Sequence, residues 1–369
     1  APAAAEQARV CQDPGVGMTR LRIPRDLGAA RVNLVDKVRR RPLADLRPMP
    51  REVVRENERF TLYRYDRADG VRPHGKPLFL TPPLAAPALA FDLRRGCSVA
   101  EYFVDQGRDV YLVDYGPVNF GHRALGIEHW VDKLLPEALA EASVDSGGQD
   151  LHMAGWSLGG IFTMFTAAAR QDLPVASVTA VASPFDLRQV PLLALARPVD
   201  RVLGGLVGPT YRALGGVPAP LTKWGFQLSA ADKYLTKPIS MLTHADDRDF
   251  LAQLEAVDRF MSSMYAYPGR TFGQLYHVIM RTNEFATGTM QLGGRPVRLA
   301  DIDVPVLVVA GLNDTLAPLP AVEHLLDLVT GAPRTQLLQA PGGHLGVLTG
   351  RAAGRTTWPG MQGFFTTVD

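Results

Sequence analysis

Short apolar runs rich in β-branched and aromatic residues recur along this chain, separated by longer segments of helical period. ERFTLYRYD (58–66) alternates polar and apolar positions, as a strand with one buried face does. PLFLT (77–81), DVYLVDY (109–115), DLHMAG (150–155), ASVTAVAS (176–183), VPVLVVAG (304–311) and RTQLLQA (334–340) are short β-rich runs of strand length. Strands buried on both faces and spaced by helices predict an α/β fold with a mainly parallel sheet covered by helices on both sides. One helix start is explicit: Ser98-Val99-Ala100-Glu101 forms a capping box ahead of the stripe Val99, Tyr102, Phe103, which ends at Gly107.

The pattern breaks in two places. Residues 1–57 are rich in Pro and Arg, and KVRRRPLADLRPMPREVVR (37–55) carries dense charge with little apolar period, so a peripheral, solvated arm or surface helix is expected. A site for phosphates or another protein is the alternative reading of that arm. Residues 184–303 separate two predicted strands by far more than a crossover needs, which predicts a cap inserted into a core made of 58–183 and 304–369. The cap contains Trp224, Phe226, Tyr265, Tyr267, Phe272 and Tyr276, which either line an apolar pocket or pack the cap's own core. His244-Ala245-Asp246-Asp247 lacks metal-ligand spacing and reads as a polar surface turn.

The organising stretch is LHMAGWSLGGIF (151–162), where a strand turns at Gly155-Trp156-Ser157-Leu158-Gly159 and continues as a helix. This is the G-x-S-x-G nucleophile elbow, in which glycines allow strand and helix to approach closely while the strained turn lifts the serine hydroxyl above the sheet edge. A serine hydroxyl needs a base, and the base needs an orienting group. Asp314 follows the strand VPVLVVAG, and His344 stands on a glycine loop beyond the last strand. The chain order Ser157, Asp314, His344 is that of a hydrolase elbow completed by two later strand-end loops, and all three are expected at the carboxyl edge of the sheet. Backbone donors for an oxyanion are expected at Leu158 and, because Pro82 and Pro83 have no N–H, at Leu84, with Ala85 next.

Composition narrows the partners. The 369 residues are 46% hydrophobic and 21% charged, and 39 basic against 37 acidic residues leave a net charge of +2, so nothing calls for nucleic acid or an anionic surface. A small-molecule substrate is the expected partner. The two cysteines, Cys11 and Cys97, form no disulfide framework or zinc spacing, which reads as a reducing, cytoplasmic compartment. Cys97 precedes the Ser98 cap and is expected to be a buried or half-buried structural thiol. The start of the sequence shows no signal-peptide pattern, and no apolar run approaches the roughly 18 residues of a membrane span. No Walker loop or dinucleotide fingerprint is present, and no cofactor or metal is expected.

TPPLAAPALAFDLRRGCSVAEYFVDQGRDVYLVDYGP, GGRPVRLADIDVPVLVVAGLNDTLAP and GGHLGVLTGR together resemble the polyhydroxyalkanoate synthases and their relatives within the α/β-hydrolase superfamily. The resemblance runs from about residue 77 onward, and the length suits the short synthases that act with a second subunit. It implies an α/β-hydrolase fold, covalent acyl transfer under a large cap, an acyl ester or acyl-CoA-type substrate, and homo- or hetero-oligomers. Two departures stand out. Ser157 occupies the position where those synthases use cysteine, and Ala85-Ala86 replaces the polar asparagine that usually follows the proline pair. Thiolates exchange readily with thioesters, whereas the fate of an acyl-serine depends on whether water or another alcohol reaches it. The expectation is therefore a serine acyltransferase or hydrolase acting on acyl or hydroxyacyl esters or thioesters. A simple carboxylesterase or polyester depolymerase, and a catalytically silent partner subunit of a cysteine synthase, are the alternatives.

Overall fold

A computed structural model describes residues 24–39, 41–229 and 231–369; Cys11 lies outside them, as does the Phe226 side chain. Eight strands form one sheet: β1 (Arg51–Glu56), β2 (Thr61–Tyr65), β3 (Leu78–Thr81), β4 (Val110–Asp114), β5 (Leu151–Trp156), β6 (Val175–Val181), β7 (Val306–Gly311) and β8 (Thr335–Ala340). Their spatial order is β1-β2-β4-β3-β5-β6-β7-β8. β1 pairs antiparallel with β2, and β2 antiparallel with β4; every later pairing is parallel. The central strands β3, β5 and β7 are buried along their whole length. That is why their sequences are unbroken apolar runs.

Helices that flank the sheet include α2 (Val99–Asp105), α3 (Leu135–Asp145), α4 (Leu158–Ala169) and α10 (Thr357–Val368). Ser98 caps α2 by accepting from the Glu101 N–H at 3.1 Å. The other half of the expected capping box is diverted, because the Glu101 carboxylate accepts from the Gly96 N–H at 2.7 Å. Cys97 is buried, and its thiol donates to the Thr349 carbonyl at 3.2 Å.

Between β6 and β7 the chain forms α5 (Pro191–Leu214), α6 (Ala219–Ser229), α7 (Ala231–Thr243), α8 (Arg248–Ser262) and α9 (Gly269–His277). α8 is set on the core: Ala256 and Phe260 join the main hydrophobic cluster. The turn before it does more than face water. Asp247 caps α8 by accepting from Phe250 N–H at 2.9 Å, Ala245 is buried, and the His244 ring stacks on Phe250.

The N-terminal stretch is not a free arm. Its described part includes α1 (Leu27–Val38), whose Asn33 donates to the Ala245 carbonyl at 2.9 Å. Leu43 and Ala44 then pack with Leu251 and Ala252 of α8, and the Leu43 N–H donates to Glu255 at 3.0 Å. β1 falls within the stretch expected to be peripheral, so the sheet starts at Arg51 rather than near residue 58. No alternation marks it, because a charged edge strand, REVVRE, exposes most of its positions.

At the amino-terminal end of the strands a buried polar cluster holds α10 to the sheet. Arg108, fully buried, donates to both Asp369 carboxylate oxygens at 3.0 and 2.9 Å. His152 Nε2 lies 3.0 Å from the same carboxylate, and its Nδ1 lies 2.7 Å from Ser177 Oγ. Since a carboxylate only accepts, the neutral ring carries its proton on Nε2 and takes the serine hydroxyl at Nδ1. Burial pushes the His152 pKa down to about 4.

Candidate active site

β5 ends at Trp156 and α4 begins at Leu158, so Ser157 is the whole turn. Its backbone is held at φ 56° and ψ −123°, a conformation that costs a non-glycine residue on the order of 1–3 kcal/mol. The surroundings enforce it. Ser157 N–H donates to Val181 at 2.8 Å, and the Ser157 carbonyl accepts from Ser183 Oγ at 2.8 Å and from Gly160 N–H at 3.0 Å. A Cβ on Gly155 would lie 2.4 Å from the Gly159 carbonyl oxygen, and one on Gly160 would lie 2.1 Å from Ser183 Oγ. Those two glycines are required by close approach rather than by turn conformation.

The other two side chains arrive on paired loops. β7 and β8 run parallel with Gly311 opposite Ala340, and the ladder continues beyond the strands as Leu312 N–H to Ala340 at 3.0 Å and Asn313 N–H to Gly342 at 3.0 Å. Gly342, at φ 134°, then lets the second loop turn back over the first. This pairing is what brings Asp314 and His344 together.

His344 Nδ1 lies 2.8 Å from Asp314 Oδ2, and His344 Nε2 lies 2.9 Å from Ser157 Oγ. The Asp314 side chain is fully buried, and its Oδ1 accepts from Leu316 N–H at 2.8 Å and Ala317 N–H at 2.9 Å. Both of its oxygens are thus committed, one to the backbone and one to the ring. With the carboxylate on Nδ1, that nitrogen carries the proton and Nε2 presents a lone pair to the serine hydroxyl. The arrangement can accept a proton from Ser157 and stabilise the resulting imidazolium.

The loop after β3 meets the start of α4. A Cβ on Gly159 would stand 2.3 Å from the Thr81 carbonyl oxygen and 2.7 Å from the Pro82 carbonyl carbon, so helix and loop are in backbone contact. Leu84 is buried in that loop, and Leu158 opens the helix, where N–H groups have no intrahelical acceptor. Ala85 takes φ 64°, and its carbonyl accepts from the Tyr265 N–H at 2.7 Å, tying the loop to the segment after α8.

Sequence reasoning missed two supporting residues. Trp156 donates its indole N–H to the His344 carbonyl at 2.9 Å, and Ser183 props the elbow from the end of β6. Trp156 stands inside the motif, but nothing in the pattern says which loop its indole reaches. Among the described residues no group of three or more His, Cys, Asp or Glu side chains is placed to hold a metal ion, and no helix is long and apolar enough to cross a membrane. A cavity of about 470 Å³ opens between the Phe120–Ala124 turn and α9, lined by Arg123, Tyr211, Arg270 and His277; Ser157 does not border it.

An eight-stranded, mainly parallel sheet with antiparallel β1–β2 and β2–β4 pairings, and a serine elbow between β5 and α4, is the α/β-hydrolase fold. No family model matches the chain. Among curated proteins it is 28% identical over 316 residues to the poly(3-hydroxyalkanoate) polymerase subunit PhaC of Allochromatium vinosum, covering 85% of this chain and 87% of that one. It is 27% identical over 314 residues to the PhaC subunit of Thiocystis violacea, covering 85% and 86%. Among solved structures, an esterase of a Rhodococcus species superposes with a TM-score of 0.47 at 16% identity, covering 87% of this chain and 100% of that one. The chain thus has the α/β-hydrolase fold and is similar over most of its length to poly(3-hydroxyalkanoate) polymerase subunits.

Proposed function

We propose that this protein transfers acyl or hydroxyacyl groups from an ester or thioester through an acyl-Ser157 intermediate. The observation that carries the reading is the continuous hydrogen-bonded line from Asp314 Oδ2 through the His344 ring to Ser157 Oγ. In the first half-reaction His344 Nε2 takes the Ser157 proton as Oγ attacks the acyl carbon. The tetrahedral oxyanion is met by the Leu158 and Leu84 N–H groups, and the leaving group departs with the proton from His344. Asp314 holds the ring in the required tautomer and stabilises its cation. In the second half-reaction His344 activates an acceptor hydroxyl, which takes the acyl group and frees Ser157.

Residues 184–303 act in this scheme as the cap over the acyl-enzyme. A cap that keeps water from the ester favours transfer to a hydroxyacid or alcohol, and an open one favours hydrolysis. The similarity to poly(3-hydroxyalkanoate) polymerase subunits supports a hydroxyacyl donor, and the α/β-hydrolase architecture supports either outcome. The deciding experiment is the partition of a 3-hydroxybutyryl thioester between free acid and acylated product as 3-hydroxybutyrate ester acceptor is added. Product that grows with acceptor, at constant thiol release, supports transfer. Free acid alone at every acceptor concentration makes the protein a hydrolase.

A further inference from the structure

The His344 loop is buried from Val347 to Thr349, where Cys97 and Trp358 hold it, and the base at its start must keep a fixed direction. Trp156, the final residue of β5, is 3% exposed and donates its indole N–H to the His344 carbonyl at 2.9 Å. The two rings lie 5.3 Å apart, and on another side the indole meets the Phe260 ring of α8 at 6.0 Å. α8 grips the same loop further on: Gln253 donates to the Thr349 carbonyl at 2.9 Å, and Asp249 binds Arg351 at 2.9 Å while also holding Arg94 of the core at 2.7 Å. The stretch from His344 to Arg351 is therefore clasped at one end by Trp156 and at the other by α8, and Phe260 joins the two clasps.

We infer that Trp156 is a positioning residue for the base: its indole N–H fixes the His344 backbone, and Phe260 sets the indole, so the seating of α8 is felt in the direction of His344 Nε2. This rests on the reading of Ser157 and His344 given above. An unanchored carbonyl would let the loop rock, and misalignment of the line from Nε2 to Ser157 Oγ reduces the rate of the proton-transfer step without touching substrate binding.

The test removes the donor and nothing else. Replacing the Trp156 indole by benzothiophene, through 3-benzothienylalanine at this position, puts sulfur where the N–H stood and keeps the ring's shape. The expected result is about a tenfold loss in kcat and in the rate of Ser157 phosphonylation by a fluorophosphonate, the scale of one hydrogen bond, with KM unchanged and the native circular dichroism spectrum retained. 7-Azatryptophan, which retains the donor, is expected to restore the rate. Phe260→Leu is expected to slow phosphonylation in the natural protein and to add nothing in the benzothienyl background, since both act through one group. An unchanged kcat in the benzothienyl protein, or a change confined to KM, overturns the inference, and additive effects overturn the role of Phe260. Ser157→Ala and His344→Gln run beside these variants: if they keep full activity, the reading of the site fails, whereas if they are inactive and the benzothienyl protein is not impaired, only the role of Trp156 fails.

Discussion

Gly159 and Thr81 touch through their backbones: a Cβ on the first would lie 2.3 Å from the carbonyl oxygen of the second. That contact sets the distance between the start of α4, with the Leu158 N–H, and the loop that carries Leu84. Neither partner has a flexible side chain at the point of contact, so the clash has to be relieved by moving helix or loop. Gly159→Ala is expected to destabilise the protein by about 1–3 kcal/mol and to lower kcat far more than it raises KM. Urea unfolding and steady-state kinetics on the same preparation check both halves.

Asp314→Asn separates geometry from tautomer. The amide oxygen can keep the two backbone donors from Leu316 and Ala317, and the amide nitrogen then faces His344 Nδ1. That nitrogen must then accept, the proton moves to Nε2, and the ring cannot take the Ser157 proton. A loss of about 10⁴-fold in kcat with an unchanged fold is expected, as for carboxylate-to-amide changes in other serine triads. Circular dichroism and single-turnover acylation measure the two quantities, and an active, folded Asn variant contradicts the role given to Asp314.

His152 makes stability fall on the acid side of neutrality. Its folded pKa, about 4, lies below its ordinary value of 6.5, so between these limits the unfolded chain binds a proton that the native state refuses. Its contribution is complete above 6.5 and is lost as the pH falls towards 4, a change of roughly 3 kcal/mol for a shift of this size. Asp369 acts in a different window. The guanidinium of Arg108 and the hydrogen bonds to His152 and Lys76 outweigh its burial and hold its carboxyl below the ordinary 3.8, so its contribution is lost only at still lower pH. Urea unfolding of wild type and His152→Asn from pH 7.5 to 4.5 is expected to show a steeper acid-side decline in the wild type.

Cys97 is expected to be inert while the protein is folded. It is buried, and burial pushes its thiol up despite the Arg94 charge nearby. Iodoacetamide followed by peptide mapping should modify Cys97 slowly in buffer and rapidly in denaturant. Equal rates in both would contradict the packing at Thr349.

The core strands were legible because burial on both faces leaves an unmistakable apolar run, as in Val306–Gly311, and Ser157, Asp314 and His344 were legible because strand ends and chain order constrain them together. β1 was hidden by its charged edge sequence. The two ribbons, Gly216–Val217 with Tyr267–Pro268 and Thr289–Leu292 with Arg295–Arg298, are too short for a period to register. The strapping of α8 and the turn before it by Asn33, Leu43 and Arg94 depends on contacts between distant segments, which no local pattern encodes. Trp156 belongs with these: its position in the motif was visible, and its partner was not.

Intact mass spectrometry of the wild-type protein and of Ser157→Ala, after brief exposure to 3-hydroxybutyryl-CoA, tests the acyl-enzyme itself. A hydroxybutyryl adduct on the wild type, released when acceptor is added and absent from Ser157→Ala, is the predicted result. An adduct of equal yield on Ser157→Ala, or thioester turnover by that variant at the wild-type rate, would contradict the assignment of Ser157 as the nucleophile.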